Sequence, residues 1–301
     1  MKIPTLFLTL PALAALSLSL RAQDAKNYAY HSSASRQSQQ EIEDIGEIVP
    51  PDNESDGKSA APPPAAIKSK FRFNVGTREE FTSNAKLSGD HSSGDLLSLP
   101  TIEGGYHTPL GKYFTFDLAA KVESALYADN NDRGFFGYSA DATLDYRPAP
   151  NLPRIYISAE PYRYDSFDTG DRVTQAVGTL AGTDWGFAFN GGRSLAYTGY
   201  TYGHYFADPS VDNRNSHRVV AGVAHQFAQN LTGQLYYSWQ LTDFTDVTRH
   251  DTRNMVGVNL IYQFTEHLFG NFASAFIDSD SNVERASYQS VTAAVGLTLQ
   301  F

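Results

Sequence analysis

The chain has 301 residues, room for two ordinary domains or one large all-β domain. Lys and Arg number 23 against 33 Asp and Glu, a formal charge of −10, and that acidity argues against nucleic acid as a partner, because phosphates call for a basic surface. There is no cysteine, which excludes a disulfide scaffold, a thiolate metal site and a lipid-modified amino-terminal Cys.

Residues 1–22 open with Lys2, run apolar from Ile3 to Leu20 and end in small residues near Ala22. This is the pattern of a secretory signal peptide. Pro4, Pro11 and the polar stretch that follows disfavour an anchoring helix. Residues 23–69 are rich in Ser, Gln, Asp, Glu and Pro and include "VPPDNESDGKSAAPPPAA". Such a composition cannot bury enough apolar surface to offset chain entropy, so a disordered periplasmic linker is expected. Ile42, Ile45 and Ile48 have helical spacing and allow one docking turn at most.

From Lys70 the character changes. Stretches rich in Tyr, Phe, Val and Leu predict strands near 71–81, 96–107, 113–127, 135–147, 154–165 and 171–181. A seventh covers 185–189 and runs on to 206 after a turn. The rest fall near 217–228, 231–244, 253–264, 269–278 and 286–301. The count is about 12, with 10–14 open, because turn signals occur at both Gly182–Asp184 and Asn190–Gly192.

Alternation is clean where it matters. Phe114, Phe116, Leu118, Ala120 and Val122 oppose Thr115, Asp117, Ala119, Lys121 and Glu123, since successive strand side chains point to opposite faces. The last strand, "SVTAAVGLTLQF", does the same. Short connections such as "HTPLGK", "FAQNLTG" and "FTEHLFG" alternate with polar ones such as "ADNNDRG", "ADPSVDNRNSH" and "IDSDSNVERAS". Aromatic residues gather at strand ends: Tyr113, Tyr146, Phe227, Phe264 and Phe301 beside the short turns, and Tyr127, Phe135, Phe167, Phe206, Phe244 and Phe276 beside the long loops. Two such girdles suit the two headgroup layers of a bilayer.

Residues 70–301 therefore resemble the bacterial outer-membrane β-barrel proteins. The resemblance rests on the leader, the strand–turn–strand–loop rhythm and the terminal aromatic strand. It implies an all-β fold, a transmembrane antiparallel up-and-down barrel in the cell outer membrane, with both termini periplasmic. It also implies that Val295, Leu297, Leu299 and Phe301 form the signal read by the barrel-assembly machinery. The implied partners are the lipid bilayer and that machinery. The resemblance is to an architecture, so it brings no substrate and no oligomeric state.

Charge sets the direction of the faces. Arg or Lys facing mid-bilayer lipid costs about 2–4 kcal/mol, so the charged rows point to the lumen and the apolar rows to lipid. The candidate pore-lining residues are Arg72, Arg78, Glu103, Asp117, Lys121, Glu123, Asp141, Asp145, Glu160 and Arg163, with Arg147 beside them. Later strands contribute mostly uncharged groups such as Gln234, Ser238 and Gln240. The expected function is a porin-like passive channel for small hydrophilic solutes, guided by a transverse field. The alternative is a closed structural or adhesion barrel, because small barrels fill their own lumen.

A third reading is a barrel hydrolase acting on lipids. His225 in "AGVAHQFAQN" lies on the outward face, but Gln226 and Phe227 follow it where a nucleophilic Ser would be sought. No catalysis, cofactor or metal is expected. His217 and His225, eight residues apart on one strand, are about 27 Å apart at strand rise, too far to share an ion.

Overall fold

The computed structural model describes residues 70–85, 87, 94–130, 133–149 and 152–301. The signal peptide and linker expected over 1–69 lie outside the described residues. The strands are β1 Lys70–Thr82, β2 Asp95–Ser98, β3 Thr101–Leu110, β4 Phe114–Tyr127, β5 Phe135–Tyr146, β6 Arg154–Ser166 and β7 Arg172–Phe189. They continue with β8 Ser194–Asp208, β9 Arg214–Ala228, β10 Leu231–Phe244, β11 Arg249–Gln263, β12 Leu268–Ser281 and β13 Tyr288–Gln300.

Apart from β2 and β3, which do not pair with each other, each strand pairs antiparallel with the next, and β1 closes the cylinder on β13, from Asn74↔Gln300 to Thr82↔Thr292. Both β2 and β3 lie between β1 and β4. They are two halves of one stave, interrupted at Leu99–Pro100, where the proline offers no N–H to the ladder. The barrel thus has twelve staves, as the sequence suggests.

One expected break is absent. The turn signal at Gly182–Asp184 sits inside β7, and the chain reverses at Asn190–Arg193 instead, where Asn190, Gly191 and Gly192 have φ of 56°, 65° and 83°. Glycine accepts that left-handed backbone without a Cβ clash. Gly182 has a different duty. A methyl group there would overlap the ring of Tyr156 from the neighbouring strand. The same seat recurs at Gly257 under Tyr236, and at Gly137, Gly178 and Gly222 under Tyr164, Tyr205 and Tyr197. These inward tyrosines lie flat along the wall, because the glycine facing each one leaves room for the ring.

The outer surface is apolar. Phe73, Val75, Leu118, Val122, Ile155, Ile157, Val256, Val258, Val295 and Leu297 are all exposed. Phe227, Phe264 and Phe301 flank one rim, Phe167, Phe206 and Phe276 the other. Tyr127 and Phe135 do not join that second girdle. They are buried, pointing inward, and Phe136 and Tyr138 take the outward positions one and three residues on.

Candidate lumenal site

The turn rim carries the short connections and Lys70 and Phe301; the loop rim carries the others. Near the turn rim, Arg72 Nη2 lies 3.5 Å from Glu103 Oε1 and His107 Nδ1 lies 2.6 Å from Asp117 Oδ1. Arg154, the first residue of β6, bridges two carboxylates: Nη1 lies 3.2 Å from Asp145 Oδ1 and Nε donates to Asp184 Oδ2 at 2.7 Å. Arg147, in the β5–β6 turn, adds a longer contact of 3.8 Å to Asp184.

At mid-height Arg78 pairs with Glu80 at 2.6 Å. Lys121 Nζ lies 3.8 Å from Glu123 Oε2, and the Tyr164 hydroxyl donates to Glu123 Oε1 at 3.1 Å. Asp141 accepts from Thr143 at 2.8 Å. Glu160 stands opposite Gly178 on the inward parity of β6.

Nine of the ten candidate lumenal charges therefore face inward, and one does not. Arg163 projects outward, its Nε donating to Asp165 at 2.9 Å and its guanidinium 6.0 Å from the exposed Tyr138 ring. Alternation requires this, for Glu160 and Arg163 are an odd number of residues apart and cannot share a face.

The later strands hold more charge than expected. Arg214, Arg218 and Arg253 are buried on the inner wall. Arg214 donates to the Tyr162 hydroxyl at 2.9 Å and stacks 4.3 Å from the Tyr205 ring. Arg218 Nε donates to Ser238 at 3.2 Å, and Arg253 Nη2 to Gln240 Oε1 at 2.5 Å. Arg249 and Asp251 pair at 2.6 Å. Arg218 and Arg253 were legible by parity within the expected strands. Arg214 and Arg249 were hidden because β9 and β11 begin three and four residues before the hydrophobic runs do.

Exposure varies along the inner wall, and the Arg154 side chain keeps only 14% even near the turn rim. The Arg72 and His107 side chains retain 36% and 32% of their accessible surface, whereas Arg214 retains 3% and Thr242 2%. An apolar cluster occupies part of the loop-rim half. Ala85 and Leu87 turn inward to join Leu97, Leu99, Tyr127, Phe135, Tyr164, Val173 and Tyr288 in one apolar cluster. Arg133 Nη1 donates to the Ala85 carbonyl at 3.1 Å, and Asp95 accepts from Asn130 Nδ2 at 2.6 Å.

Outside, His225 does face away from the lumen, and the structure supplies a serine the local sequence lacks. Ser194 Oγ lies 2.8 Å from His225 Nδ1. It comes from the neighbouring strand, so no spacing along the chain announces it. Ser194 is 4% exposed, and Phe227 packs edge-on against the imidazole at 4.8 Å. The pair reads as a histidine satisfied beside lipid.

The chain is thus a closed antiparallel up-and-down β-barrel with a greasy exterior and a charged interior. A family model described as "Putative beta-barrel porin 2" matches residues 204–301. The fold is similar to the translocator domain of autotransporter NalP from Neisseria meningitidis, with 11% identity over 91% of this chain and 98% of that one, at a TM-score of 0.48. It is also similar to the outer membrane channel DcaP of Acinetobacter baumannii, with 10% identity over 77% and 97% at 0.44. A third is an anion-selective porin from Comamonas acidovorans, with 7% identity over 78% and 99% at 0.41. No curated protein matches the chain.

Proposed function

We propose that this protein is a narrow outer-membrane channel that passes small hydrophilic solutes and catalyses no reaction, with its turn rim and both chain ends on the periplasmic side. The observation that carries the reading is the sorting of charge around the inner wall. On β4–β7 the inward Asp117, Glu123, Asp141, Asp145, Glu160 and Asp184 outnumber Lys121 and Arg154, while on β9–β11 Arg214, Arg218, Arg249 and Arg253 outnumber Asp251. Opposed charge across a low-dielectric cylinder produces a transverse field, which orients polar solutes and penalises apolar ones.

Planar-bilayer recording of the refolded protein is the test. Discrete conductance steps are expected, and a silent barrel would overturn the channel. A closed structural barrel is the second reading, favoured by the apolar cluster across the loop-rim half. Under it, wild-type protein is silent and Tyr164→Ala, which removes a ring from that cluster, admits current.

A further inference from the structure

Between Arg78 on β1 and the arginines of β9–β11 the inner wall is thin. Opposite Arg78 and Glu80 stand Gly296 and Ala294 of β13, and beyond them Ala273 and Ala275 of β12. Small side chains on two consecutive strands leave room for long ones from either flank. From one flank comes the pair Arg78–Glu80, joined at 2.6 Å. From the other comes Tyr236, whose ring lies over Gly257 of β11, where any Cβ would meet it.

Tyr236 is 8% exposed and stands within electrostatic reach of four charges. Arg218 and Arg253 belong to the strands on either side of its own; Arg78 and Glu80 come from β1, four staves round the ring. Arg218 and Arg253 also share a row, since both are in register with Gln240. Two strand spacings put their Cα atoms about 10 Å apart, and both residues are more than nine-tenths buried. Ser238 holds Nε of the first and Gln240 holds Nη2 of the second, so each fork has a set orientation.

Three guanidinium groups and one carboxylate therefore surround one tyrosine. Gathering like charges away from bulk water is costly unless a counter-charge joins them. Guanidinium forks present paired N–H donors that match the oxygens of a carboxylate or phosphate, and the Tyr236 hydroxyl adds a further donor.

We propose that Arg78, Arg218, Arg253 and Tyr236 form a binding seat for a small oxyanion, a carboxylate or a phosphate, inside the lumen. This names the solute class of the channel reading, and rests on that reading for passage but not for binding. The carboxylates of β4–β7 line another part of the wall, so an anion is confined to the cationic side.

Binding is read first without current. Protein refolded in phosphatidylcholine vesicles is unfolded in urea with inorganic phosphate, with citrate or with chloride at equal ionic strength. A ligand of the folded barrel raises the midpoint as its concentration rises. General salting effects act on any barrel alike, so Arg218→Gln/Arg253→Gln is measured beside the wild type, or Arg253→Gln alone where the pair does not fold. At least one oxyanion should raise the wild-type midpoint, and the variant should lose half or more of that rise. Response to phosphate alone assigns a phosphate solute, and to citrate alone a carboxylate. No rise, or equal rises in both proteins, would overturn the seat. In planar bilayers under a tenfold KCl gradient, the wild-type zero-current potential should show chloride crossing several-fold more readily than potassium. This needs no variant, and a preference for potassium would overturn the proposal. A barrel silent in the bilayer yet stabilised by an oxyanion loses the channel and keeps the seat, so the two failures are separable.

Discussion

Replacing Arg154 with Gln tests whether lumenal charge holds the barrel together. The guanidinium sits between Asp145 and Asp184, and all three side chains are at least five-sixths buried. Removing the cation leaves two carboxylates on facing strands in a low-dielectric wall. Breaking a buried pair this way costs about 3–5 kcal/mol, most of it from the stranded charge. Here two charges are stranded, while Arg147 at 3.8 Å compensates Asp184 in part, so a loss of about 3 kcal/mol is expected. Urea titration of protein folded in vesicles would measure it, with Trp185 and Trp239 as reporters. The variant's midpoint should fall with the slope unchanged. Adding Asp184→Asn should recover part of the loss, because the two positions share one interaction and cannot behave additively. A loss below about 1 kcal/mol, or a double variant weaker than Arg154→Gln alone, would refute a cohesive triad.

Gly257→Ala should destabilise by about 1–3 kcal/mol through overpacking against the Tyr236 ring, and pairing it with Tyr236→Leu should relieve most of that in the same urea assay. Leu297→Arg, on the exposed outer band, should cost about 2–4 kcal/mol if that band meets hydrocarbon; a neutral result would place it elsewhere. Arg163→Ala should leave single-channel conductance unchanged, since the side chain projects outward, whereas Lys121→Ala should alter it. Ser194→Ala should leave esterase activity at background, and a fluorophosphonate should label neither protein; labelling that requires Ser194 would reopen the hydrolase reading.

Strand number and face assignment were legible because membrane strands carry long, unbroken period-2 patterns. The stretch from Phe114 to Glu123 fixed its own orientation. Parity also contained more than a list of nearby charges could yield: applied strictly it separates Arg163 from Glu160 and brings in Arg218 and Arg253. What stayed hidden depends on pairing between strands. The Arg154 bridge needs β5, β6 and β7 in register, and the Ser194–His225 pair needs β8 beside β9. Gly182 resembled a turn because glycine marks both reversals and sites of close approach, and only the ring of Tyr156 distinguishes them. Tyr127 and Phe135 resembled girdle residues for a similar reason, since an aromatic near a strand end serves a membrane interface or an interior cluster equally well.

The seam between β1 and β13 joins strands more than two hundred residues apart in sequence. Contacts so distant form late, because the intervening chain must first be ordered. Until they do, the growing sheet carries two bare ladders of N–H and C=O groups, each able to capture a strand from another chain. Phe73 and Phe301 meet across this seam, exchanging both backbone hydrogen bonds at 3.0 and 2.9 Å. That pair extends the ladder running from Asn74↔Gln300 to Thr82↔Thr292, so the seam that must outcompete aggregation is closed by the whole length of β13.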